Sequence, residues 1–377
     1  MLLSAGFRTF FPAAGLWACL AMLLWALMLH GVLALPSAFH PVVWHLHELL
    51  FGFVAAAIAG FLLTAIPNWT GRPALSGAPI GVLFLLWLLG RVAVATSAWI
   101  GPALAMVADL AFLLALAAFV ARELLAAGSR RNLPVVAVLA LLIVANALIH
   151  AGVYLGPAWV AAGERLAIAV IVALISLIGG RIIPNFTGNW LRKRRAPALP
   201  PATGRFDVVV LVAGILALLV WVIAGLTQAV GVALLIAGLL HAVRLARWRA
   251  QDTLAEPLLW ILHLGYAWLV AGLLMLGWAA WMPQLASTAI HVLTAGAMGT
   301  MIAAVMTRAS LGHTGQPLTA GAGTIAVYLL VTFAAVTRIA APFLGMMRGP
   351  ALDLAATAWI AAFALFVVLY APLYLRR

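Results

Sequence analysis

Long apolar runs, broken at intervals by short clusters of Pro, Gly, Asn and Arg, recur from one end of this chain to the other. About 20 residues of helix cross a hydrocarbon core about 30 Å thick, and a helix satisfies its own backbone hydrogen bonds in lipid. The runs predict twelve spans, over residues 15–35, 47–66, 79–98, 102–122, 133–154, 159–183, 207–227, 229–248, 257–280, 288–307, 319–341 and 351–373. The expected fold class is all-α, a polytopic membrane protein in which residues 1–377 form one integral membrane domain. The first span follows Arg8 but is too long for the apolar core of a cleaved signal, and removing it would leave an odd number of spans, so it is expected to stay.

Composition agrees: 67% of the 377 residues are hydrophobic, 8% are charged and the mean hydropathy is +1.20. No ordinary soluble domain tolerates that balance. Basic residues fall on every second connection: Arg8; Arg72; Arg122, Arg130 and Arg131; Arg192, Lys193, Arg194, Arg195 and Arg205; Arg244, Arg247 and Arg249; Arg308; and Arg376 with Arg377. Arg348 is the exception. Because short loops rich in Lys and Arg remain in the cytoplasm, both termini are expected there. The net charge of +13 is thus a topology signal. Nucleic-acid binding is excluded as a function, since no soluble domain carries a basic face. Cys19 is the only cysteine. It rules out an internal disulfide, a four-thiolate iron–sulfur cluster and a Cys-x-x-Cys-His haem attachment, so any metal must use His, Met or carboxylate.

A repeat organises the runs. Span 2 ends in Ile66-Pro67-Asn68-Trp69-Thr70-Gly71 and span 6 in Ile183-Pro184-Asn185-Phe186-Thr187-Gly188, while span 10 leads into Met306 through Gly315, where Thr314-Gly315 recurs. Pro and Gly here are expected to stop a helix, with Asn and Thr capping its end. The spacing suggests three pseudo-repeats of four helices, roughly 1–131, 132–255 and 256–377, which would make spans 2, 6 and 10 equivalent.

An imidazole inside a span is costly unless something binds it, so intramembrane histidines default to function. Topology sorts the nine into an outer set, His30, His40, His45, His47, His150 and His291, and an inner set, His241, His263 and His313. His45 and His47 stand about 200° apart on a regular helix, so only one faces a given site. His47, next to Glu48, is expected to be that one. Gly52 further along would let either a flat macrocycle or a neighbouring helix approach. His291 opens span 10 at matching depth with Gly299 below it, and two such helices suit a bis-imidazole haem. His150 lies four residues after Asn146, which would either orient a metal-bound ring or make a plain interhelical hydrogen bond; Tyr266 is the expected partner of His263. His241 and His313 are expected at polar interfaces, His313 in a loop. Arg91, Asp109, Glu164, Arg165, Arg338 and Asp353 are expected to pair, or, for the arginines, to neutralise haem propionates. No phosphate-binding glycine loop or Ser/His/Asp set is present.

The stretches from His45 to Phe53 and Gly60 to Gly71, from Pro257 to Trp268, from His291 to Thr300 and from Met306 to Gly315 resemble the NnrS family. That resemblance implies a multi-pass protein of the bacterial inner membrane, containing haem and copper and linked to nitric oxide, nitrosative stress and often denitrification. His45, His47, His263, His291 and His313 stand where the family pattern has histidine, and His150 follows a run that also looks familial. Leu49 stands where Met is expected, which weakens any thioether ligand there. Twelve helices also resemble haem–copper oxidases in architecture, but spans 6 and 7 lack the histidines of the oxidase site. The expectation is a protein binding or processing nitric oxide or metal-nitrosyl species, with copper and a non-covalent b-type haem. His47, His291 and His45 are its haem candidates, and His47, His291, His150, His263, His45 and His313 its metal candidates. Expected partners are the lipid bilayer, nitric oxide and an electron donor. The rivals are a transporter with a polar midplane site and a metal-holding sensor or maturation protein.

Overall fold

The computed structural model describes residues 1–375, so Arg376 and Arg377, counted above among the basic residues, lie outside the described residues. Among the described residues there is no strand, and twelve helices are long and apolar enough to cross a membrane. They are α1 (Gly6–Leu29), α2 (Pro41–Thr70), α3 (Ala78–Ala95), α4 (Pro102–Ala126), α5 (Arg130–Leu155) and α6 (Pro157–Lys193). Then follow α7 (Arg205–Ala224), α8 (Gln228–Ala246), α9 (Pro257–Trp278), α10 (Pro283–His313), α11 (Ala322–Phe343) and α12 (Gly345–Leu375). The burial pattern is that of a membrane protein: Ile223 is 74% exposed and Val368 69%, whereas Arg91 and Asp109 are each 2% exposed. Large apolar side chains face outward while Arg91 and Asp109 are enclosed, an arrangement that a hydrocarbon solvent makes favourable.

Two boundaries differ from expectation. Pro67 and Pro184 do not stop their helices, because α2 runs on to Thr70 and α6 to Lys193 with the proline inside. A proline removes one donor from the ladder, a loss that surrounding helices tolerate in a membrane bundle. The true stop on α2 is Gly71, whose φ of 68° is the left-handed cap that glycine adopts freely. Thr70 bonds back to the Ile66 carbonyl and Thr314 to that of Ser310, as expected of helix ends. Thr187 instead turns inward.

A second departure concerns helix winding. Within α2 the segment Glu48–Val54 is π-helical, and within α10 so is Val292–Gly299. Each begins at the residue after a histidine, His47 and His291. π turns are rare and concentrate at functional sites.

The chain forms two compact units. The first comprises residues 1–167, 309–315 and 359–377; the second comprises residues 168–308 and 316–358. In the first, Phe53 packs its edge on Phe363 (5.0 Å between centroids), and the Trp359 indole donates to the Ala18 carbonyl (3.2 Å). In the second, α9 packs on the π segment of α10, and Tyr328 and Thr307 share a hydroxyl hydrogen bond of 2.6 Å.

Candidate metal centre

The first unit encloses a fully buried polar cluster drawn from four helices. α2 supplies His47 and Glu48, α3 supplies Arg91, α4 supplies Asp109, and α5 supplies Asn146 and His150. Because α2 begins at Pro41, both His45 and His47 lie on it and point apart: the His45 ring stacks on Trp25 (4.6 Å, 19°), and His47 is wholly buried.

Asp109 is the hub. Arg91 donates one guanidinium nitrogen to Asp109 Oδ1 and the other to Glu48 Oε1, the latter at 2.8 Å. Asp109 Oδ2 accepts from Asn146 Nδ2 (2.8 Å) and His150 Nε2 (3.1 Å), and His47 Nε2 stands 3.0 Å from the same oxygen. Asn146 Oδ1 also lies 2.8 Å from His47 Nε2. Asn146 thus reaches across to His47 and Asp109, where a role beside His150 was expected. His47 Nδ1 pairs with Glu48 Oε1 at 3.1 Å, and Glu48 Oε2 is buried without a hydrogen-bond partner. Rings of Phe39 and Phe51 lie 5.0–5.2 Å from those of the two histidines and wall the cluster from water.

His47, Asp109 and His150 each offer one ligand atom, and all three atoms lie within 4.8 Å of one another. Charge decides how this set behaves. Two carboxylates face one guanidinium, so the buried cluster carries one negative charge in excess unless a proton or a cation joins it. With His47 Nδ1–H directed at Glu48, the other imidazole nitrogen faces Asp109 and Asn146 oxygens. Three electron-rich atoms at that range need a proton or a metal ion between them. The carboxylate behind His47 is also what orients a metal-bound imidazole and fixes its tautomer.

The Gly52 expectation resolves toward helix packing. A Cβ there would collide with the Trp17 indole, while the Trp87 indole donates to the Gly52 carbonyl (3.0 Å). The room that glycine opens is filled by tryptophan.

The remaining candidates lie elsewhere. His291, partly exposed in the second unit, donates Nδ1–H to the Ser287 carbonyl (2.7 Å), which leaves Nε2 as its lone-pair nitrogen. His263 shares a hydrogen bond with Thr187 Oγ1 (3.0 Å), not with Tyr266. Tyr266 belongs to a network the sequence did not disclose. Its hydroxyl accepts from Arg244 (3.1 Å) and shares a hydrogen bond with His241 Nδ1 (2.8 Å), while Arg244 is held by Asp207 (2.9 Å). His241 is therefore a buried network member, 1% exposed. His313 ends α10 and is not in a loop; its ring sits 5.6 Å from Phe7.

The sequence matches the family model described as NnrS protein over residues 1–377, the whole chain. The chain belongs to the NnrS family. Among curated proteins no relative matches it. For this NnrS member, then, the family fits a twelve-helix membrane protein whose first unit encloses a buried His/Asp set able to bind metal.

Proposed function

We propose that the protein is a metalloprotein of the nitric oxide and nitrosative-stress response in the bacterial inner membrane, binding or processing nitric oxide at histidine-held metal. In this reading copper lies at His47, Asp109 and His150, and a non-covalent haem is held from His291. Support comes chiefly from the buried set of His47, Asp109 and His150, whose ligand atoms lie within 4.8 Å of one another, together with family membership.

The donor set fits copper. Two imidazole nitrogens and a carboxylate oxygen suit a divalent transition ion, with geometry rather than raw affinity choosing among metals. Arg91 holds Oδ1 of Asp109, and Oδ2, which also accepts from Asn146, is the oxygen that would meet the ion. Glu48 holds the far side of His47, and its orphaned Oε2 leaves that carboxylate capacity to spare. Asn146 ties Asp109 to His47, and the two phenylalanines keep water out. His291 fits iron: a carbonyl-bound Nδ1–H and a free Nε2 are the ordinary state of an axial imidazole. When bound, the two metals supply one-electron redox chemistry and coordination positions for a small diatomic ligand.

Assigned this way, His47 serves copper and not haem, since both its nitrogens already face the cluster's oxygens. His45, His263 and His313 carry no ligand role. Metal analysis and a visible spectrum of the purified protein test the proposal. Iron, copper and a Soret band are expected in the wild type, and His291→Ala should lose the band while keeping copper. A Soret band unchanged in His291→Ala would contradict the haem assignment. A protein holding neither metal would restore the transporter reading.

A further inference from the structure

The residues of the buried cluster lie near one end of their helices. His47 is six residues from Pro41, Arg91 four from Ala95, Asp109 seven from Pro102 and His150 five from Leu155. At 1.5 Å of rise per residue these are depths of about 6–11 Å. Because successive helices alternate in direction, the four ends share one side, the one opposite the N-terminus. Arginine alternation predicts that this is the outer side. Toward the other side the same helices run on for roughly 20–35 Å, so the short way to the cluster starts opposite the N-terminus.

On that side the connection from α1 to α2, which has no regular structure before Pro41, brings Phe39 onto the cluster. Phe39 is 7% exposed, and its ring lies 5.2 Å from that of His47 and 5.0 Å from that of His150. The next residue, His40, is exposed, so the chain passes from the cluster to the surface in one step. Phe51 also touches His47 (5.1 Å), but from within the π turn of α2. Phe39 is carried instead by a strap tied to the end of α3. Ser37 Oγ donates to the Val94 carbonyl (2.8 Å), Ser97 Oγ accepts from the Ala38 N–H (2.8 Å), and the Ala98 N–H donates to the Pro36 carbonyl (2.9 Å). A segment held by a few bonds opens locally at far lower cost than a packed helix.

We infer that Phe39 is a gate. Swinging aside with its strap, it lets the imidazoles of His47 and His150 exchange a metal ion, and a small molecule bound to that ion, with the side opposite the N-terminus. The identity of the ion rests on the metal reading above; the gate rests on the placement of Phe39.

Chelator-treated wild type, Phe39→Ala and Ser97→Ala are exposed to diethyl pyrocarbonate, and carbethoxylation of each histidine is followed by peptide mass spectrometry. Phe39→Ala should speed modification of His47 and His150 on the order of tenfold, as the lost burial of an aromatic ring predicts. Ser97→Ala, which removes the acceptor that ties down Ala38, should act in the same direction. His241 and His263, buried in the second unit, should keep their wild-type rates. Unchanged rates at His47 and His150 in both variants, or an increase shared equally by His241 and His263, would overturn the gate. The route is read from copper-loaded protein in oriented vesicles treated with a membrane-impermeant chelator. Copper should be stripped from the side opposite the N-terminus, and faster in Phe39→Ala; stripping from the N-terminal side alone would overturn the route. A wild type that binds no copper defeats the metal reading only, because the carbethoxylation pattern still decides the gate.

Discussion

Asp109 sits in a place where a carboxylate is expensive, and its neighbours show what keeps it there. Arg91, Asn146 and His150 all donate to it, and His47 stands against its second oxygen. Removing one member of such a buried set leaves an uncompensated charge, a loss of about 3–5 kcal/mol in comparable pairs. Glu48 is a gentler probe, because it touches the triad only through His47 Nδ1 and Arg91. Glu48→Gln keeps the shape and an acceptor but removes the charge that makes His47 a better donor to metal. Copper affinity should fall by about 10–100-fold, as for other carboxylates behind a ligating histidine, with helix content unchanged by circular dichroism. An unchanged affinity would mean that His47 is not a ligand.

At the scale of elements, the π turn of α2 carries the centre. It starts at Glu48 and includes Gly52, against which the Trp17 indole lies so closely that no Cβ fits. Gly52→Val should therefore displace Trp17 and cost about 1–3 kcal/mol, as overpacking does, lowering the unfolding temperature and loosening metal binding together. Wild-type stability in that variant would show that the indole moves freely. Much of this level was legible in the residues: run length and apolarity alone predict the twelve helices, and the two-residue spacing of His45 and His47 predicts their opposite directions. Pro67 and Pro184 predict helix ends that the structure does not show, since a proline weakens one ladder bond without ending a helix whose neighbours pack around it. The triad was harder to see. Periodicity tells which residues share a face, but not that α2, α4 and α5 bring His47, Asp109 and His150 together. Asn146 carried a signal in its spacing from His150; Asp207 and Arg244, far apart in sequence on α7 and α8, carried none that links them.

For the whole molecule, the alternation of arginines predicts that the termini and the basic segment from Arg192 to Arg195 share one side of the membrane. Reporter fusions at the N-terminus, after Arg195 and at the C-terminus should all register as cytoplasmic, and a C-terminal fusion that reports from the opposite side would contradict an even number of spans. The central claim is that the buried triad holds a metal. Copper bound to purified wild type, Asp109→Asn and His291→Ala, measured by metal analysis with electron paramagnetic resonance, tests it most directly. Copper with nitrogen couplings in wild type and His291→Ala, and its loss in a folded Asp109→Asn, is the predicted result; copper retained with the same spectrum in Asp109→Asn would contradict it.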